Sequence, residues 1–196
     1  MLPEESLPVR LMSTIWADGD GLHDDLSEPG DVDAWLDAVG VSRFGAQATS
    51  AELASARALR DAARYLAGQV TGDHREHARA PVPDVDAAVR RVNETAALLP
   101  PPRLEVAGEA VREGVAIDGS AVTAALARVA QEVVALVGGD DAVRLRACYA
   151  PGCVLYFVKT HPRREWCSVT CGNRVRAARH YEKTREATHG TKARQA

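Results

Sequence analysis

The sequence lacks the features that would assign it to a membrane or a secreted protein. No uninterrupted apolar run approaches the roughly 18 residues that a transmembrane segment requires. The amino terminus carries acidic side chains where a signal peptide has a basic region, and it contains no continuous apolar stretch. We therefore expect a cytoplasmic protein with no membrane partner.

Signatures of common enzyme classes are also missing from the amino-terminal part. It contains no phosphate-binding loop, no dinucleotide fingerprint and no Ser/His/Asp order. The cluster from His74 to His77 matches neither zinc-protease spacing, and we interpret it as a solvated loop. An acidic stretch near the amino terminus fails as a calcium loop because Leu22 and Pro29 occupy ligand positions. The sequence therefore predicts a protein that is not an enzyme.

Cysteine is scarce, and the positions of the four cysteines are the most informative feature of the chain. They form two close pairs, Cys148 with Cys153 and Cys167 with Cys171. In a reducing cytosol, clustered cysteines are more often metal ligands than disulfides. Two pairs separated by a short spacer can present four thiolates to one tetrahedral Zn²⁺. Because four thiolates close the coordination sphere, we predict one structural zinc ion.

Two alternatives to this zinc site stay open at the level of sequence. The cysteines could be unliganded or redox-active, or His161 could replace one of them.

Charge is distributed unevenly along the chain. Residues 1–142 contain 12 Arg and Lys against 24 Asp and Glu, whereas residues 143–196 contain 12 against 3. The two parts thus carry net charges of −12 and +9. A zinc ion with four thiolates adds about −2 to the second part. This asymmetry indicates two modules and favours a polyanion as partner of the basic one.

Hydrophobic periodicity predicts an α+β fold, with a mostly helical amino-terminal domain that contains a few short strands. We expect a strand over 7–16, a loop over 71–83, two strands between 103 and 118 with a turn near Gly108, and helices over 31–39, 49–69, 84–99 and 120–137. The Gly-Gly-Asp-Asp run is the predicted boundary. It divides the chain into a domain over 1–140, a zinc finger over 141–186 and a polar tail over 187–196.

The order of elements predicted around the cysteines is that of a treble-clef-like zinc finger. A β-prone segment over 154–158 and a proline turn are followed by a returning strand over 165–167. A helix then runs from Cys171 to about Arg185, so its first turn supplies the last ligand. Gly152 and Gly172 suit the tight backbone beside a metal.

One face of this predicted helix is basic and the opposite face is more apolar. At about 100° per residue, Arg176, Arg179 and Lys183 form one stripe, with Ala177 and Tyr181 on the other side. We predict that the stripe contacts DNA phosphates. The complete set of predicted nucleic-acid contacts is Arg176, Arg179 and Lys183 on the helix and Arg163 and Arg164 at the hairpin tip.

Three residues after the last cysteine are assigned structural roles near the metal. They are Gly172, Asn173 and Arg174. Arg174 lies away from the basic stripe and is expected to bond to local carbonyls or thiolates. Asn173 could contact an adenine edge or form a local hydrogen bond, and both roles stay open.

The segment from Trp166 to Arg174, Trp-Cys-Ser-x-x-Cys-Gly-Asn-Arg, resembles the CGNR zinc-finger family. With the earlier cysteine pair and the basic helix, the resemblance covers about residues 142–185. The rest is similar to the ABATE-type domain that accompanies this finger in bacteria, and the Trp35-Leu36 helix is in keeping with it. Where that family has an Asn-Thr pair, this chain has Ser13-Thr14. The resemblance implies a stress-related transcription regulator whose finger binds DNA.

The sequence therefore predicts a cytoplasmic DNA-binding transcription regulator. The zinc finger would hold the nucleic acid, and the acidic domain would sense a small-molecule effector or mediate association between copies. The alternative is an adaptor without DNA binding, whose finger docks on an acidic protein surface, including that of a second copy.

Overall fold

The structure is a computed structural model that describes residue 2, residues 4–115 and residues 119–193, without the side chains of residues 113, 115 and 186–193. The helices are α1 (Leu7–Met12), α2 (Pro29–Val39), α3 (Ser50–Thr71), α4 (Val85–Ala96), α5 (Ala121–Gly138) and α6 (Val169–Ala193). The strands are β1 (Ile15–Ala17), β2 (Leu22–Asp24), β3 (Pro102–Ala107), β4 (Ala110–Val115), β5 (Leu145–Ala147) and β6 (Tyr156–Val158). The strands pair in chain order as three antiparallel hairpins. This confirms the predicted α+β class.

Helix α3 forms as its sequence predicts. Glu52 N donates to Thr49 Oγ1 (3.3 Å) and Thr49 N donates to Glu52 Oε2 (2.8 Å), which together form a capping box. The helix ends at Gly72, which adopts the left-handed conformation with φ 61°. Its apolar face, which includes Leu59 and Ala63, is buried in the main core.

Helix α5 is the second central element of the core. Thr123 N donates to Ser120 Oγ at its start, so Ser120 is the cap of the two residues, Ser120 and Asp118, that the sequence offers for this role. By length and composition alone this helix could cross a membrane, but the core helix of a soluble protein passes the same test. Its buried side chains, among them Leu126, Val129 and Val133, pack against α1, α3 and α4. We therefore describe α5 as a core helix.

The predicted first strand over 7–16 is wrong over most of its length. The segment forms the short helix α1, and only Ile15–Ala17 is extended. Pro8 lies in the first turn of the helix, where its missing N–H costs nothing. Leu11 and Met12 are almost completely buried in the main core. The β-prone composition of the segment favoured a strand. Burial of its apolar face in the main core selects the helix instead.

Most other predicted elements are present with shifted ends. Helix α2 ends at Gly40 as expected, and Asp84 Oδ1 accepts from Ala87 N at the start of α4. The predicted hairpin between 103 and 118 is β3–β4, with its turn at Gly108. Residues 116–118 of that prediction lie outside the described residues. Helix α6 extends to Ala193, eight residues beyond its predicted end, into the predicted polar tail.

The hairpin of the zinc-binding part differs from the prediction. Strand β6 pairs with β5, which precedes the first cysteine, and not with residues 165–167. The free edge of β6 is occupied by side chains instead of a strand. Val158 N donates to Glu5 Oε2 (3.1 Å), and Val158 O accepts from Arg164 Nη1 (3.1 Å). These two contacts satisfy the backbone groups that a returning strand would need.

Two apolar clusters share this hairpin between them. Leu145, Ala147 and Tyr156 belong to the main core, which α1, α3 and α5 also build. Phe157 and Val175 instead surround the four cysteines in a second, smaller cluster. The β5–β6 hairpin therefore joins the zinc-binding part to the amino-terminal domain.

Candidate metal centre and nucleic-acid interface

The four cysteines converge on one point. Their Sγ atoms all lie within 4.8 Å of one another, and all four residues are buried. Cys167 Sγ is 3.9 Å from Cys153 Sγ and 3.4 Å from Cys171 Sγ. A tetrahedral zinc ion with Zn–S bonds of about 2.3 Å separates its sulfur ligands by about 3.8 Å. The donor set therefore fits one structural Zn²⁺, as predicted.

The proposed histidine substitute does not belong to this cluster. His161 is exposed, and its Nδ1 accepts a hydrogen bond from Arg163 N (3.1 Å). The metal-binding group consists of the four thiols, so the coordination sphere is Cys₄.

The first cysteine pair lies on a tight turn, residues 148–153, which we call the knuckle. Cys148 N donates to Leu155 O and Cys153 N donates to Ala150 O, both at 2.9 Å. Gly152 has a φ of +70°, a conformation that side chains other than glycine rarely adopt. Leu155 N also points at Cys153 Sγ, at 3.5 Å. This N–H stabilises negative charge on a ligand sulfur.

The second pair flanks the start of α6. Ser168 Oγ accepts from Cys171 N (3.2 Å), so the helix begins just before its ligand, two residues earlier than predicted. Cys167 N points at Cys148 Sγ (3.5 Å) and links the two pairs. The positive end of the helix dipole faces the anionic sulfurs, which is the favourable orientation.

Hydrogen bonds among the four thiols shift their pKa values in opposite directions. Bonds with Cys153, Cys167 and Cys171 lower the pKa of Cys148 far below its usual range. Bonds with Cys148, Cys153 and Cys171 raise the pKa of Cys167. Zinc must displace the protons that remain on the cluster, so we expect zinc affinity to fall as the pH falls.

Two of the three residues predicted to have structural roles contact the surroundings of the metal. A Cβ on Gly172 would lie 3.3 Å from Trp166 Cδ1, so the indole ring packs directly on the helix backbone. Arg174 Nη1 donates to Pro151 O (2.9 Å) in the knuckle. These two contacts fasten the first turns of α6 to the zinc site. Asn173 is exposed, and its Oδ1 accepts a local hydrogen bond from Arg176 Nη2 within the same helix.

Beyond these turns, α6 projects away from the protein. Val175 is the last buried residue in the part of the helix whose side chains are described. A helix of 25 residues is about 37 Å long at 1.5 Å per residue. Arg176, Arg179 and Lys183 are exposed along it.

The remaining two predicted phosphate contacts differ from each other. Arg163 is exposed beside the zinc module. Arg164 is half-buried, and its guanidinium already binds protein groups. It pairs with Glu5 (2.5 Å), donates to Cys167 O (2.9 Å) and stacks 4.9 Å from the Phe157 ring centre. These contacts argue against the predicted role of Arg164 at phosphate and give it a structural one.

Sequence reasoning missed the most connected contact of the site. Arg75 Nη1 donates to Cys148 O (2.8 Å) and to Cys153 O (2.7 Å), the two ligand residues of the knuckle. Asp73 pairs with the same guanidinium at 2.7 Å and accepts from Tyr156 Oη at 2.8 Å. Burial opposes ionisation of Asp73, but the bonds from Arg75 lower its pKa overall. The loop predicted to be solvated thus contributes a buried ion pair.

A histidine of the same loop also lies near the knuckle. His77 Nε2 is 3.4 Å from Cys153 O. The sequence contains no motif that would place this loop at the zinc site, because Arg75 lies 73 residues from Cys148 along the chain.

Comparisons with known protein families agree with the two parts of the chain. A family model named ABATE, described as "Putative stress-induced transcription regulator", matches residues 5–140. A model of the CGNR zinc finger matches residues 144–184. No curated protein matches the chain. The two matches confirm the resemblance noted in the sequence, in the same order.

Proposed function

The chain belongs to the ABATE family and carries a CGNR zinc finger, and we propose that it is a DNA-binding transcription regulator that acts in the cytoplasm in response to stress. The zinc module holds the nucleic acid through α6. The acidic domain senses a small-molecule effector or mediates association between copies. This proposal assigns no enzymatic activity to the chain.

The observation that carries the proposal is the exposed basic stripe on a projecting helix. Arg176, Arg179 and Lys183 lie on α6 beyond its last contact with the core, in a segment of net charge +9. A helix of this diameter fits the major groove, and cationic side chains along it can pair with phosphates. Arg163 adds an exposed guanidinium on the same module.

The zinc ion has a structural part in this proposal. It joins the knuckle to the first turn of α6, so the direction in which the helix projects depends on the metal. Arg174 and Arg75 hold the knuckle from two sides through its carbonyl oxygens. The start of α6, the helix that carries the proposed nucleic-acid contacts, is therefore fixed in position.

Salt dependence of duplex binding tests the proposal. Fluorescence anisotropy with a random-sequence duplex should show affinity that falls steeply with salt, with a logarithmic slope of about −0.9 per phosphate contacted. The triple variant Arg176→Gln, Arg179→Gln, Lys183→Gln should lower that slope by up to about 2.7 in magnitude. A wild-type protein that fails to bind duplex even at low salt would overturn the proposal.

A matched variant separates a local stripe from total charge. Arg90→Gln, Arg91→Gln and Arg128→Gln together remove three exposed positive charges from the amino-terminal domain. This triple variant should bind duplex with nearly unchanged slope. Equal loss in both triple variants would show that net charge alone, and not α6, governs the binding.

An adaptor that binds protein is the second candidate, and one observation favours it. Tyr181 is 69% exposed on the face of α6 opposite the basic stripe, where Ala177 is also exposed. Exposed aromatic side chains are common at protein interfaces. An adaptor would bind no duplex at any salt concentration. If its partner is a second copy, sedimentation should detect a dimer that Tyr181→Ser weakens.

A further inference from the structure

A cavity lies where the amino-terminal domain meets the zinc module. It has a volume of about 510 Å³ and opens between the second half of α3, the loop that follows, and Tyr156 of β6. Small-molecule sites commonly have volumes of about 300–1,000 Å³. The side chains that matter for its chemistry are Arg64, Tyr65, Asp73, Arg75 and Tyr156.

One guanidinium in this cavity has no acidic partner. Arg64 is 3% exposed and donates to Met12 O (3.0 Å), Ala78 O (3.2 Å) and Val154 O (3.1 Å), which are neutral carbonyls. No carboxylate lies within hydrogen-bond distance of it among the side chains that the structure describes. The three bonds use three of the five N–H donors of an arginine. Two donors are thus left for a ligand.

Two other buried or half-buried arginines nearby differ from Arg64 in this respect, whereas Arg79, which also lines the cavity, is exposed to solvent. Arg75 is paired with Asp73, and Arg60 is paired with Asp24 and Asp61. Burial lowers the pKa of Arg64, because removal from water disfavours its charged form. An anion brought into the cavity would offset that loss of solvation.

We propose that this cavity binds a small-molecule anion, bearing a carboxylate or a phosphate group, which pairs with Arg64 and strengthens the contact between the domain and the zinc knuckle. Arginine recognises both groups through charge-assisted hydrogen bonds. Tyr65 and Tyr156 contribute aromatic side chains to the lining of the cavity. This inference deepens the sensing role proposed above by giving it a site and a ligand class.

The same side chains that line the cavity also hold the zinc site. Arg64 donates to Val154 O, the carbonyl that directly follows Cys153. Arg75 binds both knuckle carbonyls, and its partner Asp73 accepts from Tyr156. A ligand that neutralises Arg64 stabilises the arrangement in which these bonds form. By linkage, the ligand should tighten zinc binding, and zinc should tighten ligand binding by the same factor.

Calorimetry and thermal unfolding of the zinc-loaded full chain test the site. Benzoate and phenyl phosphate serve as probes for the two anionic groups, with benzyl alcohol as the neutral control. At least one anion should raise the melting temperature saturably, and benzyl alcohol should not. The comparison between benzoate and phenyl phosphate distinguishes a carboxylate from a phosphate site. The proposal would be overturned if neither anion raised the melting temperature saturably, or if benzyl alcohol raised it equally.

Three variants locate the binding. Arg64→Met removes the charge, and Gly68→Met fills the cavity from a position whose Cβ would lie 3.4 Å from Tyr156 Oη. Both variants should abolish the rise in melting temperature on addition of the anion, and Gly68→Met removes no hydrogen bond of Arg64. Arg57→Met, on the same helix but outside this cavity, should keep that rise. If Gly68→Met folds, holds zinc and still binds the anion, the proposed location is wrong.

Competition with a chelator for zinc at equilibrium tests the coupling. At a saturating concentration of the probe that binds, the zinc affinity should rise about fivefold or more, which is the lower end of typical allosteric coupling. An unchanged zinc affinity would overturn the link to the knuckle. Both measurements are made without DNA, so their outcome is independent of whether the chain binds a duplex.

Discussion

The two parts of this protein obtain their stability in different ways. The amino-terminal domain buries a continuous set of aliphatic side chains between α1, α3, α4 and α5. The zinc module buries little besides Phe157, Val175 and its four cysteines. The first core depends on apolar area removed from water, and the second depends on a metal ion. The parts also carry net charges of opposite sign, −12 over residues 1–142 and +9 over residues 143–196.

The junction qualifies this contrast. Residues of β5 and β6 contribute to the main core, whereas Arg64, Arg75 and Glu5 of the first domain bond to the backbone of the zinc module. The zinc module is therefore packed against the amino-terminal domain and is not an independent domain joined to it only by a linker. Perturbations of the metal, the junction and the helix start should separate what each part contributes.

Removal of the metal should have the largest effect. The chain should bind one zinc ion, measured by mass spectrometry, and none after Cys167→Ser with Cys171→Ser. Structural zinc sites contribute on the order of 10 kcal/mol or more in small zinc peptides. The variant should lose helix signal from α6 while the amino-terminal core still unfolds cooperatively on circular dichroism.

A neighbouring substitution provides the control for zinc loss. Ser168→Ala removes the hydroxyl that accepts from Cys171 N but leaves the four sulfurs, so the chain should keep its zinc and lose about 1 kcal/mol. Collapse of the whole protein in the double cysteine variant would show that the two cores are one cooperative unit.

Loss of the junction ion pair should have the next largest effect. Arg75→Met leaves Asp73 buried without its partner, and breaking a buried pair in this way costs roughly 3–5 kcal/mol. Denaturant unfolding should detect this loss, and zinc release should accelerate because both knuckle carbonyls lose a donor. Arg57→Met, a half-exposed arginine on α3, should cost much less. Similar losses for both variants would contradict a special role of Arg75.

The pH dependence of stability that Asp73 contributes should weaken in this variant. In the wild type, the lowered pKa of Asp73 stabilises the fold above its unfolded pKa of about 3.9, and this contribution is lost as the pH falls through the folded pKa. Arg75→Met removes the guanidinium bonds but keeps the bonds from Tyr156 Oη and from the backbone N–H of residue 75, so the pKa of Asp73 should rise and less stability should be lost in acid. Unfolding curves between about pH 3 and 6 compare the two proteins.

Local patterns explain which features could be predicted from the sequence. The capping box of α3, the cysteine quartet and the CGNR segment each depend on residues close together in the chain. The segment of α1 was wrongly predicted as a strand, and the partner of β6 was wrongly predicted as residues 165–167, because burial and distant side chains decide both. Glu5, for example, binds Val158 across 153 residues and thereby replaces a predicted strand. The buried role of Arg75 depends on a similar long-range contact, which no local motif encodes.

The smallest effect should come from the glycine after the last cysteine, and a second helical glycine makes it interpretable. A Cβ on Gly172 would press on Trp166 at 3.3 Å, so Gly172→Ala should destabilise the zinc module by about 1 kcal/mol. Gly138 lies at the end of α5 with open space around its Cβ position, and Gly138→Ala should be neutral or stabilising by a few tenths of a kcal/mol.

The substitution to alanine improves helix propensity in both helices. A loss of stability in Gly172→Ala and a gain in Gly138→Ala would therefore separate the effect of packing from that of propensity. The chain has three tryptophans, but Trp16 and Trp35 belong to the amino-terminal domain, so the difference in emission from the wild type reports on Trp166, beside the ligand Cys167. Its emission should shift in Gly172→Ala and stay unchanged in Gly138→Ala. If both variants gain stability, the indole has room to move, and the glycine is not required by the close contact between Trp166 and α6.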